Sequence, residues 1–357
     1  MNVFCYEERG YQTKAVEEVL ARFSEGKESV MLESPVGSGK TIMGLRVVKA
    51  LQESSTEKVR VSWVACRRHI LDQTREVNDE YFHCDIQFVS VFASSFPAAD
   101  FVVLDEAHHE ATVSCLKMYE SSQNSRTLGL SATPLRSDKM KLSFRSTVRC
   151  KSIREFIEMG VLSPIHSYKI PRWNAEELAR IYCESPDQWG KSLVFFSTIH
   201  ECREFCELVK QEGITCDVVS AHSNRDAQLE AFFNNQLQVI ANVAVLTEGF
   251  DVPSLQSVFV RDASQLPTIQ MVGRGLRKAE GKKFCNIIQS SNTSYPVEKI
   301  ADPVQSFRYM KSRWLSCYGD TEAVQEMVSI TTSLLLKKEI RLPKYLSLPR
   351  SAKEIVI

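Results

Sequence analysis

The sequence predicts an α/β protein made of two tandem parallel sheets. Three observations carry this. Short apolar runs alternate with amphipathic helical stretches between residues 30 and 130, and the alternation restarts at residue 192. At 357 residues the chain is long enough for two such units. One stretch, Glu33-Ser34-Pro35-Val36-Gly37-Ser38-Gly39-Lys40-Thr41, lies between an apolar run and a helical pattern and reads as an anion cradle.

The first unit opens with Arg9-Gly10-Tyr11-Gln12, ahead of a helix with Ala15, Val16, Val19, Leu20 and Phe23 on one face. An amide at Gln12, just upstream of the cradle, is placed to read the edge of a purine base. Val30-Met31-Leu32 is a strand and residues 42–51 a helix. Between them Gly37 and Gly39 let the backbone approach an anion, and the helix N-terminus points its free N–H groups at it. Lys40 adds a charge that reaches β- and γ-phosphates, and the Thr41 hydroxyl suits Mg²⁺. The strict loop motif starts with glycine, where this chain has Ser34.

Residues 59–65 form a β-rich run, followed by a helix start at residues 66–73. Arg67 and Arg68 there suit a phosphodiester backbone, or equally a solvated basic helix start. A strand over residues 86–91 leads into Ser94-Ser95. Residues 101–104 are apolar, as a strand buried on both faces requires, and run straight into Asp105-Glu106. Open α/β sheets bind ligands at such C-terminal strand ends. There Asp105 would hold Mg²⁺ and Glu106 would orient and deprotonate water. The strand 127–130 ends in Ser131-Ala132-Thr133-Pro134, whose hydroxyls relay the state of a nucleotide site or cap a turn.

Residues 152–160 read as a helix closed by Gly160. The connection between units is placed at residues 166–190, with Trp173 and Trp189 expected to be exposed. Strands at 192–197, 214–219 and 238–243 alternate with helices at 200–212 and 225–234. The second unit has no phosphate loop. It carries instead residues 246–253 and then Gln270-Met271-Val272-Gly273-Arg274-Gly275-Leu276-Arg277. Arg274 and Arg277 are three apart and would share a helix face, aimed at a γ-phosphate as arginine fingers. The tail, residues 291–357, is expected to be helical over 304–314 and 321–336 and to pack on the second unit or on a protein partner.

Lys+Arg and Asp+Glu are both 44, so a polyanion must be gripped by local basic patches. No apolar run approaches the roughly 18 residues a membrane span needs. The polar, partly acidic start is unlike a signal peptide. The 11 cysteines, odd in number and without Cys-x-x-Cys, suggest reduced thiols in the cytoplasm. His200, Cys202, Cys206 and Cys216 read as inert buried groups ahead of a metal site.

In this order the motifs resemble superfamily 2 helicases of the DEAH/DExH type, most of all the XPB/RadD-like branch, over residues 4–290. The resemblance makes Arg9-Gly10-Tyr11-Gln12 the adenine-recognition motif, with Gln12 as the base reader, and Ser34 to Thr41 motif I; Arg9, Gln12, Pro35, Val36, Gly37, Ser38, Gly39, Lys40 and Thr41 are then the ATP-binding residues. Residues 65–73 become motif Ia, Asp105-Glu106-Ala107-His108 the DEAH box, and Ser131 and Thr133 the coupling motif, with Gln270 as a third coupling residue. Residues 194–198 match motif IV, Gly249 and Asp251 fall where motif V meets the nucleotide, and Gln270 to Arg277 match motif VI. It implies RecA-like domains at 1–165 and 166–290, ATP with Mg²⁺ between them, and catalysis by Lys40, Asp105, Glu106, His108, Arg274 and Arg277. Nucleic acid, DNA in preference to RNA, would lie across Arg67, Arg68, Ser90 and Thr198. The implied activity is ATP-driven translocation or unwinding. The alternative is an ATP-switched nucleic-acid-binding subunit of a repair, defence or restriction complex with little helicase activity of its own; an RNA helicase is a further alternative. The chain departs from the family at Ser34, at Val36 where threonine is usual, and at Cys66. With only Cys317 beyond Cys285, the cysteine-rich zinc module of RadD-like proteins is not expected in these residues.

Overall fold

The computed structural model describes residues 8–110, 113–122, 125–134, 140–220, 223–243 and 252–317, together with 329, 330 and 333. Two sheets organise them. The first contains β1 (Ser29–Glu33), β2 (Val61–Ala65), β3 (Ile86–Ser90), β4 (Phe101–Asp105), β5 (Arg126–Ser131) and β6 (Ser146–Arg149), in the order β3-β2-β4-β5-β1-β6. All neighbours are parallel. Every residue of β2 and β4 is buried, which is why both read as unbroken apolar runs. Helices α1 (Gly10–Ser24), α2 (Lys40–Ser54), α3 (Arg68–Val77) and α4 (Val113–Ser121) cover the sheet. One apolar cluster forms on each face, around Trp63, Phe101 and Leu130 on one side and Met31, Leu104 and Met118 on the other.

The crossing helix α5 (Ile153–Glu158) starts at Ser152, whose hydroxyl accepts from Glu155 N–H while the Glu155 carboxylate accepts from Ser152 N–H. Gly160 then turns the chain at φ 69°. The second sheet contains β7 (Ile165–Ile170), β8 (Ser192–Phe195), β9 (Cys216–Val219), β10 (Val239–Asn242), β11 (Ser257–Val260), β12 (Cys285–Ser290), β13 (Gln305–Met310) and β14 (Arg313–Ser316). Its order is β14-β13-β7-β12-β11-β8-β10-β9, antiparallel only at β13–β14. Helices α6 (Ala175–Glu184), α7 (Pro186–Trp189), α8 (Ile199–Gln211), α9 (Arg225–Phe233) and α10 (Gln265–Gly275) pack on it. The C-terminal ends of the parallel strands in the first sheet line up in register, with Glu33 opposite Ser131 and Asp105 opposite Leu130. That edge faces the second sheet.

Four expectations are corrected. Residues 166–190 are no linker: β7 lies inside the second sheet, between β12 and β13, and α6 and α7 cover it. Trp189 is fully buried, its indole N–H donating to Ile181 O at 2.9 Å, because it fills the layer between Tyr168 and Phe259. Residues 304–314 are not helical but form most of the β13–β14 hairpin. Their aromatics suit either period. Packing decides, with Phe307 stacked on Tyr168 at 4.7 Å and the Tyr309 hydroxyl accepting from Arg180 Nη1 at 2.6 Å. The expected helix at 321–336 lies, but for three residues, outside the described ones. Cys206 and Cys216 are paired as a disulfide, contrary to the expectation that every cysteine is a thiol. They come together because α8 leads directly into β9. Among the described residues no cluster of three or more His, Cys, Asp or Glu fits a metal ion, and no helix is long and apolar enough to cross a membrane.

The α2 helix has almost no clearance against the sheet at Gly44. A Cβ at Gly44 would stand 2.7 Å from Trp63 Cη2 and 3.0 Å from Leu130 Cδ1, both on fully buried side chains. Gly44→Ala gains about 1 kcal/mol of helix propensity and should still lose about 1–2 kcal/mol net through overpacking. A urea-denaturation midpoint at or above wild type would contradict the packing argument.

Candidate functional site

The cradle is a tight backbone turn between β1 and α2. Gly37 and Gly39 adopt φ 83° and 84°, in the left-handed region where a side chain is strained. Ser34, standing where the strict motif has glycine, is fully buried and donates through Oγ to Ser38 Oγ at 2.6 Å. Ser38 Oγ in turn donates to Pro35 O at 2.7 Å. Ser34 N–H also donates to Ser131 O at 2.9 Å, tying the loop to the end of β5. Lys40 Nζ reaches back to Pro35 O at 3.4 Å. Burial lowers the Lys40 pKa and the nearby Arg274 and Arg277 lower it further, while Glu106 and Asp105 hold the charge on. Thr41 follows as the second residue of α2.

Arg9 is the N-cap of α1, which places Tyr11 and Gln12 in its first turn. Tyr11 Oη and Gln12 Nε2 both donate to Ser38 O, at 2.9 and 3.1 Å. A Cβ at Gly39 would stand 2.5 Å from Gln12 Nε2, so the amide packs flat on the loop. The other end of that amide, Gln12 Oε1, is buried without a hydrogen-bond partner.

Asp105 ends β4, 4% exposed, and accepts Glu106 N–H at 2.9 Å. Burial, and then the Glu106 charge, push its pKa far above the usual carboxylate range, against the pull of Lys40. Glu106 stands at φ 50°, a left-handed conformation that a side chain rarely adopts. That kink turns the next carboxylate off the strand axis. Two residues on, His108 is 2% exposed. Its Nδ1 lies 3.5 Å from both Glu106 Oε2 and Ser131 Oγ. Its Nε2 lies 3.1 Å from Gln270 Nε2 on α10 of the second sheet. Where the amide N–H donates to Nε2, a neutral ring carries its proton on Nδ1, towards Ser131 and Glu106. Ser131 Oγ also donates to Thr133 O at 2.8 Å and accepts Thr133 N–H at 3.2 Å, which makes the coupling segment a closed turn.

The cleft is packed elsewhere too. A Cβ at Gly273 would come within 3.0 Å of Val36 Cβ, and one at Gly37 within 3.2 Å of Leu162 Cδ2 and 3.3 Å of Arg277 Cγ. Arg274 is buried on α10. Arg277 is not on a helix face with it: α10 ends at Gly275, and Leu276 is its C-cap. The chain leaves the helix because Leu276–Arg277 pairs with the segment between the sheets. Arg277 bridges to Leu162, and Ser163 N–H donates to Leu276 O at 2.6 Å. Burial lowers the Arg277 pKa to about 10. Gly249 and Asp251 lie outside the described residues.

The candidate nucleic-acid residues divide. Arg67, at the N-cap of α3, and the exposed Arg68 stand at the end of β2, one strand from the end of β3. Ser90 Oγ accepts Phe92 N–H at 3.3 Å, in its own turn. Thr198 is the N-cap of α8, its hydroxyl donating to Glu201 Oε2 at 2.8 Å. Both hydroxyls therefore serve local structure. A residue the motif reading missed is Arg225, first in α9. Its half-buried guanidinium feels Arg67 across the cleft, and its Nε is buried without a hydrogen-bond partner. Like charges from two sheets facing one another suit an anion between them. Only the fold brings residues 67 and 225 together, so spacing gives no signal.

The residues fit ATP and magnesium. A buried glycine-rich helix N-terminus suits phosphates, and the unpaired Gln12 Oε1 suits a base amino group. A hydroxyl and a carboxylate, Thr41 and Asp105, are the hard oxygen donors Mg²⁺ takes alongside phosphates.

Two family models match the chain. Residues 6–95 match the model "Type III restriction enzyme, res subunit" and residues 173–279 the "Helicase conserved C-terminal domain". The putative mitochondrial ATP-dependent helicase irc3 of Schizosaccharomyces pombe is 24% identical over 84% of this chain and 60% of its own length. The chain spans about half the length of the curated relatives it matches. Among solved structures, the ATP-dependent Type ISP restriction-modification enzyme LlaBIII bound to DNA superposes with a TM-score of 0.60 at 20% identity, over 83% of this chain and 28% of that one. S. cerevisiae Dbp5 bound to RNA and ADP BeF3 superposes with a TM-score of 0.58 at 14% identity, over 92% of this chain and 97% of that one.

The raised Asp105 pKa has a stability consequence in protein free of nucleotide and metal. The folded chain holds the Asp105 proton to a higher pH than the unfolded chain does. This position therefore loses stability as pH climbs from the ordinary carboxylate range towards neutrality. Asp105→Asn should be more stable than wild type at pH 8, by about 1–3 kcal/mol, with the gap closing towards pH 4. Denaturant titrations across that range check the sign; a gap that widened in acid would refute it.

Proposed function

The chain belongs to the superfamily 2 helicases, and from that premise we propose that it is a nucleic-acid-dependent ATPase that moves along DNA. The observation that carries this reading is the 3.1 Å contact between Gln270 and His108, which joins the DEAH segment of one sheet to the arginine-bearing helix of the other. Hydrolysis and sheet-to-sheet closure thus share one buried residue. DNA is favoured because the first family model is a restriction-enzyme subunit and a similar solved structure holds DNA.

In this reading the base sits against Gln12 and the phosphates over Gly37 to Lys40. Magnesium, held by Thr41 and Asp105, would draw charge from the β- and γ-phosphates. The Glu106 carboxylate, swung off the strand by its left-handed backbone, accepts a proton from the attacking water. Lys40, Arg274 and Arg277 take up negative charge on the transferring phosphoryl group. His108 senses whether Gln270 is in place, and Ser131 carries that state into the Thr133 turn at the sheet edge. Arg67 and Arg225, one from each sheet, hold a backbone phosphate, so their separation changes as the cleft opens and closes.

Steady-state ATP hydrolysis should rise at least several-fold with DNA and much less with RNA. Lys40→Ala and Glu106→Gln should each lower kcat by about 100-fold or more. Flat, slow hydrolysis with every polymer would reject the motor reading in favour of an ATP-switched subunit. Unchanged turnover in Glu106→Gln would overturn the catalytic assignment.

The Arg225 placement is tested separately by DNA binding. Arg225→Ala should weaken DNA affinity for all sequences alike and flatten the salt dependence by about one unit of slope. An unaltered slope would remove Arg225 from the path.

A further inference from the structure

We propose that Lys282 is a positioning residue for Arg277, fixing the arginine's backbone without touching the nucleotide; this rests on the phosphate contact assigned to Arg277 above. Arg277 lies beyond the end of α10, so the helix does not set its direction. A helix end also leaves its last carbonyls without partners. Lys282 supplies them. Its Nζ donates to Gly275 O at 2.6 Å, to Arg277 O at 2.9 Å and to Pro253 O at 3.4 Å. An ammonium group has three protons, and here each has its own carbonyl.

The local chain is built to bring this about. Gly281 turns at φ 76° and Lys282 N–H donates to Ala279 O at 3.1 Å, so the chain doubles back beneath the helix end. A cation there also complements the negative end of the helix dipole. Arg277 O accepts a second bond, from Ser163 Oγ at 3.0 Å. The carbonyl is thus clamped from two sides, by the residue between the sheets and by the lead-in to β12. Its side chain then lies along Gly37 of the phosphate loop. Pro253 follows directly on the segment that contains Gly249 and Asp251. Lys282 therefore links the ends of two segments that the motif reading assigns to the nucleotide.

A simple helix cap would affect stability alone; a positioning residue must affect turnover through Arg277. Lys282→Met should lower kcat about tenfold with KM for ATP within about twofold, while Lys282→Arg, which keeps the charge and several donors, recovers most of it. In an Arg277→Ala background, Lys282→Met should cost less than about twofold, because two residues acting as one unit are not additive. An unchanged kcat in Lys282→Met, or a full tenfold loss in the Arg277→Ala background, overturns the proposal. Thermal unfolding is followed for each variant. Should Lys282→Met not fold, Ser163→Ala removes the other bond to the same carbonyl and takes its place. A kcat loss that vanishes in Arg277→Ala then supports the clamp, and no loss rejects it. Wild-type protein without ATPase activity would defeat the functional reading itself; active wild type with an inert clamp defeats only this inference.

Discussion

One imidazole holds the two sheets in communication. His108 is buried among three partners from three segments: Glu106 on its own loop, Ser131 at the end of β5, and Gln270 from the opposite sheet. A neutral ring has one donor and one acceptor nitrogen. The Gln270 amide claims the acceptor, and this forces the proton onto the nitrogen that faces Glu106 and Ser131. Were Gln270 to withdraw, the tautomer would no longer be fixed, and both the carboxylate and the coupling turn would lose a defined neighbour. A movement of α10 would therefore reach Glu106 with only His108 in between. The arrangement lives on the link between packing and function, because only burial makes one hydrogen bond decisive.

Charge sets the second constraint. Lys40, Arg274 and Arg277 converge within electrostatic range of one another, against Asp105 and Glu106. Burial works on both signs: it lowers Lys40 and Arg277 and raises Asp105. Two carboxylates side by side resist ionising together, and three cations resist being closed in together. In the proposed function a polyphosphate with its magnesium would answer both, its negative charge meeting the cations and its metal the carboxylates. Closure and nucleotide binding would then be one thermodynamic event, stabilised where opposite charge is supplied and opposed where it is not.

Much of this was legible in the sequence because the residues concerned are consecutive. The phosphate loop, Asp105-Glu106 and Ser131 to Thr133 each mark a strand end or helix start, and strand ends collect along one edge of a parallel sheet; Gln270, in the middle of α10, was legible from its own motif. What could not be read depends on contacts between distant segments. Spacing put Arg277 on the face of Arg274. The helix stops two residues short of it because Leu276 and Arg277 pair with Leu162 and Ser163, more than a hundred positions earlier. Residues 304–314 carry apolar spacing that serves a helix or a hairpin, and Tyr168 and Arg180 settle the choice. Trp189, in a stretch of polar residues and a proline, looked exposed and fills a core layer. Arg225 and Lys282 sit in no recognisable pattern; each acquires a role only from what lies across a cleft or beneath a helix end.

The two departures in the phosphate loop bear on how the cleft closes. Ser34 puts a hydroxyl where glycine leaves space, and that hydroxyl is used inside the loop, through Ser38 to Pro35 O. The loop is stiffened from within. Val36 brings two methyl groups where threonine brings one and a hydroxyl, and those methyls lie against the bare backbone of Gly273. The first contact between the sheets at this point is thus apolar and steric. A hydroxyl here could have bonded water in an open cleft; a valine gains only when Gly273 arrives and water leaves. In the proposed cycle the valine would therefore favour the closed arrangement over the open one. Gly273 must lack a side chain for the same reason, since an added Cβ would meet three Val36 carbons between 3.0 and 3.6 Å. The two positions read as unrelated in the sequence, one in each sheet's own motif. In the folded chain they are the two halves of one contact, and the tightness of the cleft around the phosphates is set there.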